Sequence, residues 1–273
     1  MIPKNLIRAS LAVSTLTLID TARADAANDA DYTVSGNVAL TSDYVFRGLT
    51  QTWGDPAIQG GADLSTTNGF AAGFWASSIS DRTYPGASLE LDVYASYGVA
   101  IDDDWSWRAG VYGYLYPNGN LDEAGLRSRS FDTVEATAAL TWKWLTLKYS
   151  SSLTDYFGID VEQGYRGDSK GTGYLALDAA IPIGGRWSIA LHAAHTNVTT
   201  RLAAPLPNGA DDPDYDDFGA TLKYRLTPHW SASVGATHAG NDAFYGHTAS
   251  FTNASDLENV GGTRRFVVLQ GTF

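Results

Sequence analysis

The sequence predicts an all-β fold: a transmembrane, antiparallel, up-and-down β-barrel of about twelve strands. Three observations carry the prediction. Segments of about ten residues alternate apolar and polar side chains, the connections between them alternate short and long, and tryptophans gather at one set of segment ends. A tilted strand of about ten residues crosses a bilayer, whereas strands of soluble sheets run nearer five or six.

Residues 1–24 read as a secretory signal peptide that is removed on export. Lys4 and Arg8 precede the apolar run from Leu11 to Ile19, and Ala22-Arg23-Ala24 supplies the small-residue cleavage pattern. Three of the 18 basic and one of the 30 acidic residues fall in this leader, so residues 25–273 carry a net charge of −14. Such an acidic chain makes a poor partner for nucleic acid. The absence of cysteine excludes disulfides, zinc–thiolate sites and thiol nucleophiles. No apolar stretch after Ala24 approaches the ~18–20 residues of a membrane helix. No linker or composition break divides 25–273, which reads as one barrel domain.

Twelve segments follow in order: 33–47, 57–66, 69–78, 88–100, 104–116, 131–143, 144–153, 172–182, 185–197, 215–226, 229–240 and 263–273. In the fourth, Leu89, Leu91, Val93, Ala95, Tyr97 and Val99 alternate with Glu90, Asp92, Tyr94, Ser96 and Gly98. In the fifth, Trp105, Trp107, Ala109, Val111 and Leu115 alternate with Ser106, Arg108, Gly110, Tyr112 and Tyr114. The sixth sets Val134, Ala136, Ala138, Leu140 and Trp142 against Glu135, Thr137, Ala139, Thr141 and Lys143. The last places Val267, Leu269, Gly271 and the terminal Phe273 on one apolar face. In each case one face suits acyl chains and the other a polar interior.

The connections divide by length. Short ones are Thr67-Asn68, Ile101-Asp102-Asp103, the join near Lys143-Trp144, Ile183-Gly184 and Thr227-Pro228. Long ones span 48–56, 79–87, 117–130, 154–171, 198–214 and 241–262. Short periplasmic turns alternating with long external loops is the plan of a bacterial outer-membrane barrel. Trp105, Trp107, Trp142, Trp144, Trp187 and Trp230 all lie beside the short turns and, with Phe273, predict one interfacial aromatic belt. Phe46, Tyr116 and Tyr156 are expected to form a weaker belt at the opposite rim.

Ser42-Asp43-Tyr44-Val45-Phe46-Arg47-Gly48-Leu49-Thr50-Gln51, then Pro56-Ala57-Ile58-Gln59-Gly60, then Gly69-Phe70-Ala71-Ala72-Gly73-Phe74-Trp75-Ala76-Ser77 resembles the TorF family of porin-like proteins. The resemblance covers the first three strands and implies an exported outer-membrane barrel with a channel role. It transfers no catalytic residue. Read as the upper half of the first strand, this segment turns Tyr44 and Phe46 outward at the rim and Asp43 and Arg47 inward. Four residues on a strand span roughly 13 Å, so these two charges pair with other strands rather than with each other.

The inward parity collects both signs of charge. The pore-lining candidates are Asp43, Arg47, Glu90, Asp92, Arg108, Tyr112, Tyr114, Glu135, Lys148, Asp178, Lys223 and Arg225. Asp63, Asp217, Tyr94, Lys143, Arg186 and Arg264 share that parity. The excess negative charge therefore lies in turns and loops, as in Asp102-Asp103-Asp104 and the run 211–217. Acidic mouths favour cations at low salt. The same loops also suit bridging of lipopolysaccharide through divalent ions, although the run 211–217 lacks the glycine and spacing of an EF-hand loop.

The enzyme class has little to stand on. There is no Gly-x-Ser-x-Gly elbow and no His-Glu-x-x-His. His192 and His195 lie three apart and point to opposite faces of one strand. His238, outward near the external rim, is the remaining catalytic candidate. The expectation is a passive outer-membrane channel for small hydrophilic solutes, with no catalytic residue, cofactor or metal. Its partners are outer-membrane lipid, lipopolysaccharide and, through the last strand with Phe273, the barrel-assembly machinery; a homo-oligomer of barrels also fits. The alternatives are a non-conducting adhesin or scaffold acting through loops 154–171 and 241–262, and a lipid-modifying barrel.

Overall fold

The computed structural model describes residues 31–273; the leader read over 1–24 lies outside the described residues. Twelve strands form the wall: β1 Tyr32–Thr41, β2 Ala57–Thr66, β3 Phe70–Ser78, β4 Leu89–Ala100, β5 Trp105–Leu115, β6 Thr133–Trp142, β7 Leu145–Ser152, β8 Gly173–Gly184, β9 Trp187–Asn197, β10 Tyr215–Arg225, β11 Trp230–Ala239 and β12 Gly262–Thr272. Each pairs antiparallel with its sequence neighbours, and β1 pairs with β12 to close the barrel. Closure leaves no sheet edge with unpaired backbone groups, which in hydrocarbon would cost several kcal/mol each. The seam is short: β1 and β12 meet over Asn37–Thr41 and Val268–Thr272. Reciprocal bonds of 2.9 Å between Gly36 and Phe273 extend it by one rung.

Exposure follows the alternation. In β4, Leu89, Val93, Tyr97 and Val99 face out, while Glu90, Asp92, Ser96 and Gly98 are buried. In β12, Val267 and Leu269 face out and Phe266 and Val268 in. The outer wall is thus an apolar band, with large hydrophobic side chains exposed on every one of the twelve strands. All six tryptophans beside the short turns are exposed, and with Phe273 they form the expected belt. Ring centroids lie 6.2 Å apart for Trp105–Trp142, 6.5 Å for Trp142–Trp144 and 6.1 Å for Trp230–Phe273.

Three expectations are corrected. The first strand ends at Thr41, not at residue 47. The chain then turns into the barrel and forms a small hairpin, Val45–Phe46 against Leu49–Thr50. Its turn residues, Arg47 and Gly48, both have positive φ, +49° and +77°. That pattern suits a two-residue primed turn. A Cβ on Gly48 would sit 2.8 Å from the Cβ atoms of Asp217 on β10 and Ala239 on β11, so only glycine allows the hairpin to seat.

The second correction concerns the opposite aromatic belt. Tyr44, Phe46, Tyr116 and Tyr156 are buried inside, not displayed at the rim. Their rings pack instead on Trp75, Tyr114, Phe131 and Phe157, in the edge-to-face contacts that aromatic pairs favour. Third, Lys143 is a turn residue (φ +54°) whose ammonium lies 3.4 Å from Asp104, rather than an inward strand residue.

The acidic run in the loop after β9 is largely engaged by its neighbours. Asp211 receives Arg166 at 2.7 Å, and Asp212 receives Arg201 at 2.5 Å. Asp214 caps the Val198 N–H at 2.7 Å, and Asp216 meets His195 at 2.8 Å. These contacts hold the long loops together over the mouth.

Candidate functional site

The inward hairpin crosses the barrel at the long-loop mouth and divides the lumen. Its tip is latched to the opposite wall. Arg47 donates Nη1 to Glu135 Oε1 at 3.0 Å and Nη2 to Oε2 at 2.6 Å, the two-bond geometry that guanidinium and carboxylate match best. Nη1 also donates to Tyr156 Oη at 3.1 Å, and the guanidinium carbon lies 4.1 Å from the Tyr174 ring centre. The base of the hairpin is tied through Asp43, whose carboxylate accepts from Thr50 at 2.6 Å, Thr52 at 3.1 Å and Arg264 at 3.4 Å. Burial raises the Asp43 carboxyl above the usual range, and these three partners oppose the rise. Asp43 pairs with Arg264 on β12 and Arg47 with Glu135 on β6.

On one side of the hairpin the lumen is filled. Tyr114 donates to Glu135 at 3.2 Å, Tyr116 donates to Glu90 at 3.0 Å, and Tyr112 stacks on Tyr94 with centroids 5.3 Å apart. Tyr94 in turn donates to Asp63 at 2.6 Å. Glu90 and Asp92 are fully buried in this cluster. Neither oxygen of Asp92 has a hydrogen-bond partner.

On the other side lies a cavity of about 190 Å³ beneath the hairpin, walled mainly by β7 to β12. Lys148 and Asp178 reach it from β7 and β8. His192 on β9 stands between two carboxylates, with Nδ1 at 2.6 Å from Asp178 and Nε2 at 2.9 Å from Asp217. The Tyr174 hydroxyl is also 2.9 Å from Nε2. Asp217, Thr237 and the Arg47 backbone turn complete this wall.

Eleven of the twelve candidates are placed in or facing the lumen. Asp43, Arg47, Glu90, Asp92, Tyr112, Tyr114 and Glu135 belong to the hairpin and the filled side, and Lys148 and Asp178 to the cavity. Arg108 faces inward toward the short-turn end, half-exposed, and donates to Ser96 at 3.0 Å. Lys223 is buried on the inner parity of β10. Arg225 departs from the expectation. It ends β10 at the short-turn rim and is exposed, because the strand stops there and no wall continues beyond it.

His192, Tyr174 and Thr237 were not among the sequence candidates. Strand pairing would have exposed the first, since Asp178 and His192 are opposed across β8 and β9. His195 faces the opposite way, exposed beside Asp216, as the strand period requires. His238 points outward with its ring 3.0 Å from Thr263 Oγ1. Among the described residues, no group of three or more His, Asp or Glu side chains could hold a metal ion.

Residues 25–273 match the family described as "Bacterial protein of unknown function (Gcw_chp)". No curated protein matches the sequence. Among solved structures, the chain resembles a KdgM porin in complex with disordered oligogalacturonate, with a TM-score of 0.52 at 10% identity. It also resembles a NanC porin, with a TM-score of 0.51 at 13% identity. Each likeness covers 88% of this chain and 99% of the other. At such identities the likeness is one of fold: a closed antiparallel barrel of porin type.

Proposed function

We propose, from the premise that the chain belongs to the bacterial Gcw_chp family of unknown function, that it is an outer-membrane channel for passive diffusion of small hydrophilic solutes or ions. The observation that carries this reading is the closed wall, apolar outside, around a charged cavity. Twelve strands give a lumen between the filled eight-stranded barrel and the open 16-stranded porin. The latched hairpin narrows it further, so transport follows the gradient with tight selection by size. The likeness of residues 42–77 to the TorF family agrees with this reading. No catalytic step or cofactor is assigned.

The setting follows from the same reading. The leader 1–24 is removed on export, the mature barrel sits in the outer membrane, and the apolar band meets lipid and lipopolysaccharide. The assembly machinery takes up the last strand with Phe273. Purified protein in planar bilayers is expected to give stepwise conductance, and persistent silence there would reject the channel.

A second reading has its own observation. The filled half of the lumen and the seated hairpin suit a non-conducting scaffold that works through loops 154–171 and 241–262. A silent barrel whose loop deletions abolish cell adhesion would establish it. Lipid hydrolysis lost on His238→Ala would instead place the protein among lipid-modifying barrels.

A further inference from the structure

We infer that the cavity beneath the hairpin is a binding step for a neutral, polyhydroxylated solute of monosaccharide size or smaller. The inference rests on the channel reading and names the solute class that its constriction admits.

Size sets the first bound. About 190 Å³ holds roughly six waters at ~30 Å³ each. Pockets for drug-sized ligands run from ~300 to 1,000 Å³. A single small ring or a short polyol fills it.

Hydrogen-bonding capacity sets the second. Asp217 is buried and gives one oxygen to His192, while its Oδ2 has no partner within the protein. The Thr237 hydroxyl is buried on the neighbouring strand and is likewise unpartnered, as is Nε of Arg47. All three residues line this one cavity. Together they present an acceptor, a donor and a group able to do both. Buried polar groups are seldom left unmatched, because each costs about 1–3 kcal/mol. A hydroxyl is both donor and acceptor, so adjacent hydroxyls on one solute match this alternation.

Charge sets the third. The Arg47 guanidinium is matched by Glu135 and the Asp43 carboxylate by Arg264. The remaining wall opposes Lys148 to Asp178 and Asp217, with His192 clamped between the two acids. A free anion meets two carboxylates there and a free cation meets Lys148 and Arg47. Neither sign gains a uniform field, so a neutral solute bears the smallest mismatch.

The test uses the full mature barrel in two assays, planar-bilayer recording and calorimetric titration in detergent. The probes are glucose, glucosamine, gluconate and glycine. Glucose is expected to interrupt the current in a concentration-dependent way, and the charged and zwitterionic probes to do so several-fold more weakly. Thr237→Val keeps the side-chain shape and removes the hydroxyl, and should weaken glucose about threefold to tenfold, one hydrogen bond's worth. Asp217→Asn should act in the same direction; if it fails to assemble, Thr237→Val carries the test. Conductance that glucose never interrupts overturns the binding step and leaves the channel standing. Calorimetric binding in a barrel that never conducts supports the site and overturns transport. Stronger interruption by gluconate, glucosamine or glycine than by glucose overturns the neutral class.

Discussion

The two halves of the lumen are built on the same strand period and end in opposite states. Under β3 to β6 the inward positions carry Tyr94, Tyr112 and Tyr114, and the rings of Tyr116, Phe131 and Phe157 close over them. Under β8 to β11 the positions that line the interior include Ala180, Ala190 and Thr237, and a cavity remains. Alternation makes the wall in both cases. The size of the residues on one parity decides whether the interior is solid or hollow. The hairpin 42–56 serves both halves, since Phe46 packs against the solid side while Arg47 and Gly48 roof the hollow one.

The strongest way to break this comparison is to free the roof. Glu135→Ala leaves the Arg47 guanidinium buried without its carboxylate, a loss of about 3–5 kcal/mol. The hairpin is expected to leave its seat and single-channel conductance to rise several-fold. Conductance equal to that of the parent would mean that the hairpin does not set the constriction.

Filling and emptying come next. Phe131→Ala removes a ring packed between Tyr84 and Tyr116 on the solid side. It should cost about 3–5 kcal/mol in unfolding from lipid vesicles, toward the lower end if the loop around it collapses. Ala190→Tyr places a ring in the hollow side, whose cavity Ala190 lines. It should lower conductance while costing less than the roughly 1–3 kcal/mol of overpacking in a solid core. A larger loss of stability from Ala190→Tyr than from Phe131→Ala would show the assignment of the halves to be inverted.

The outer surface gives smaller effects. A double-mutant cycle on Trp105 and Trp142 should return about 0.5–1.5 kcal/mol of coupling. His195→Ala breaks only an exposed contact with Asp216 and should change stability by ~1 kcal/mol or less. A Trp105–Trp142 coupling near zero would deny the belt any special role.

Much of the wall was legible from the sequence because lipid and lumen impose opposite demands on successive residues. Leu89, Val93 and Tyr97 against Glu90 and Asp92 admit one orientation only. The hairpin was not legible because Asp43-Tyr44-Val45-Phe46-Arg47 alternates as well as any wall strand does. Its distinguishing mark is Gly48 directly after Arg47, where a two-residue turn can reverse the chain. The buried Tyr44 and Phe46 escaped for a related reason: an aromatic residue near a strand end suits an interface and an enclosed cluster equally well. The cavity depends on contacts across strands. His192 gains its two acids from β8 and β10, and only the strand register brings them within 3 Å.

The seam between β1 and β12 is paired over five residues, whereas every other pair of neighbours in the wall shares seven or more. It also joins positions as far apart as Gly36 and Phe273, 237 residues along the chain. Contacts that distant return nothing until most of the chain has been ordered. This thin clasp is therefore the last to fasten, and until it does the curled sheet carries two raw borders into the bilayer.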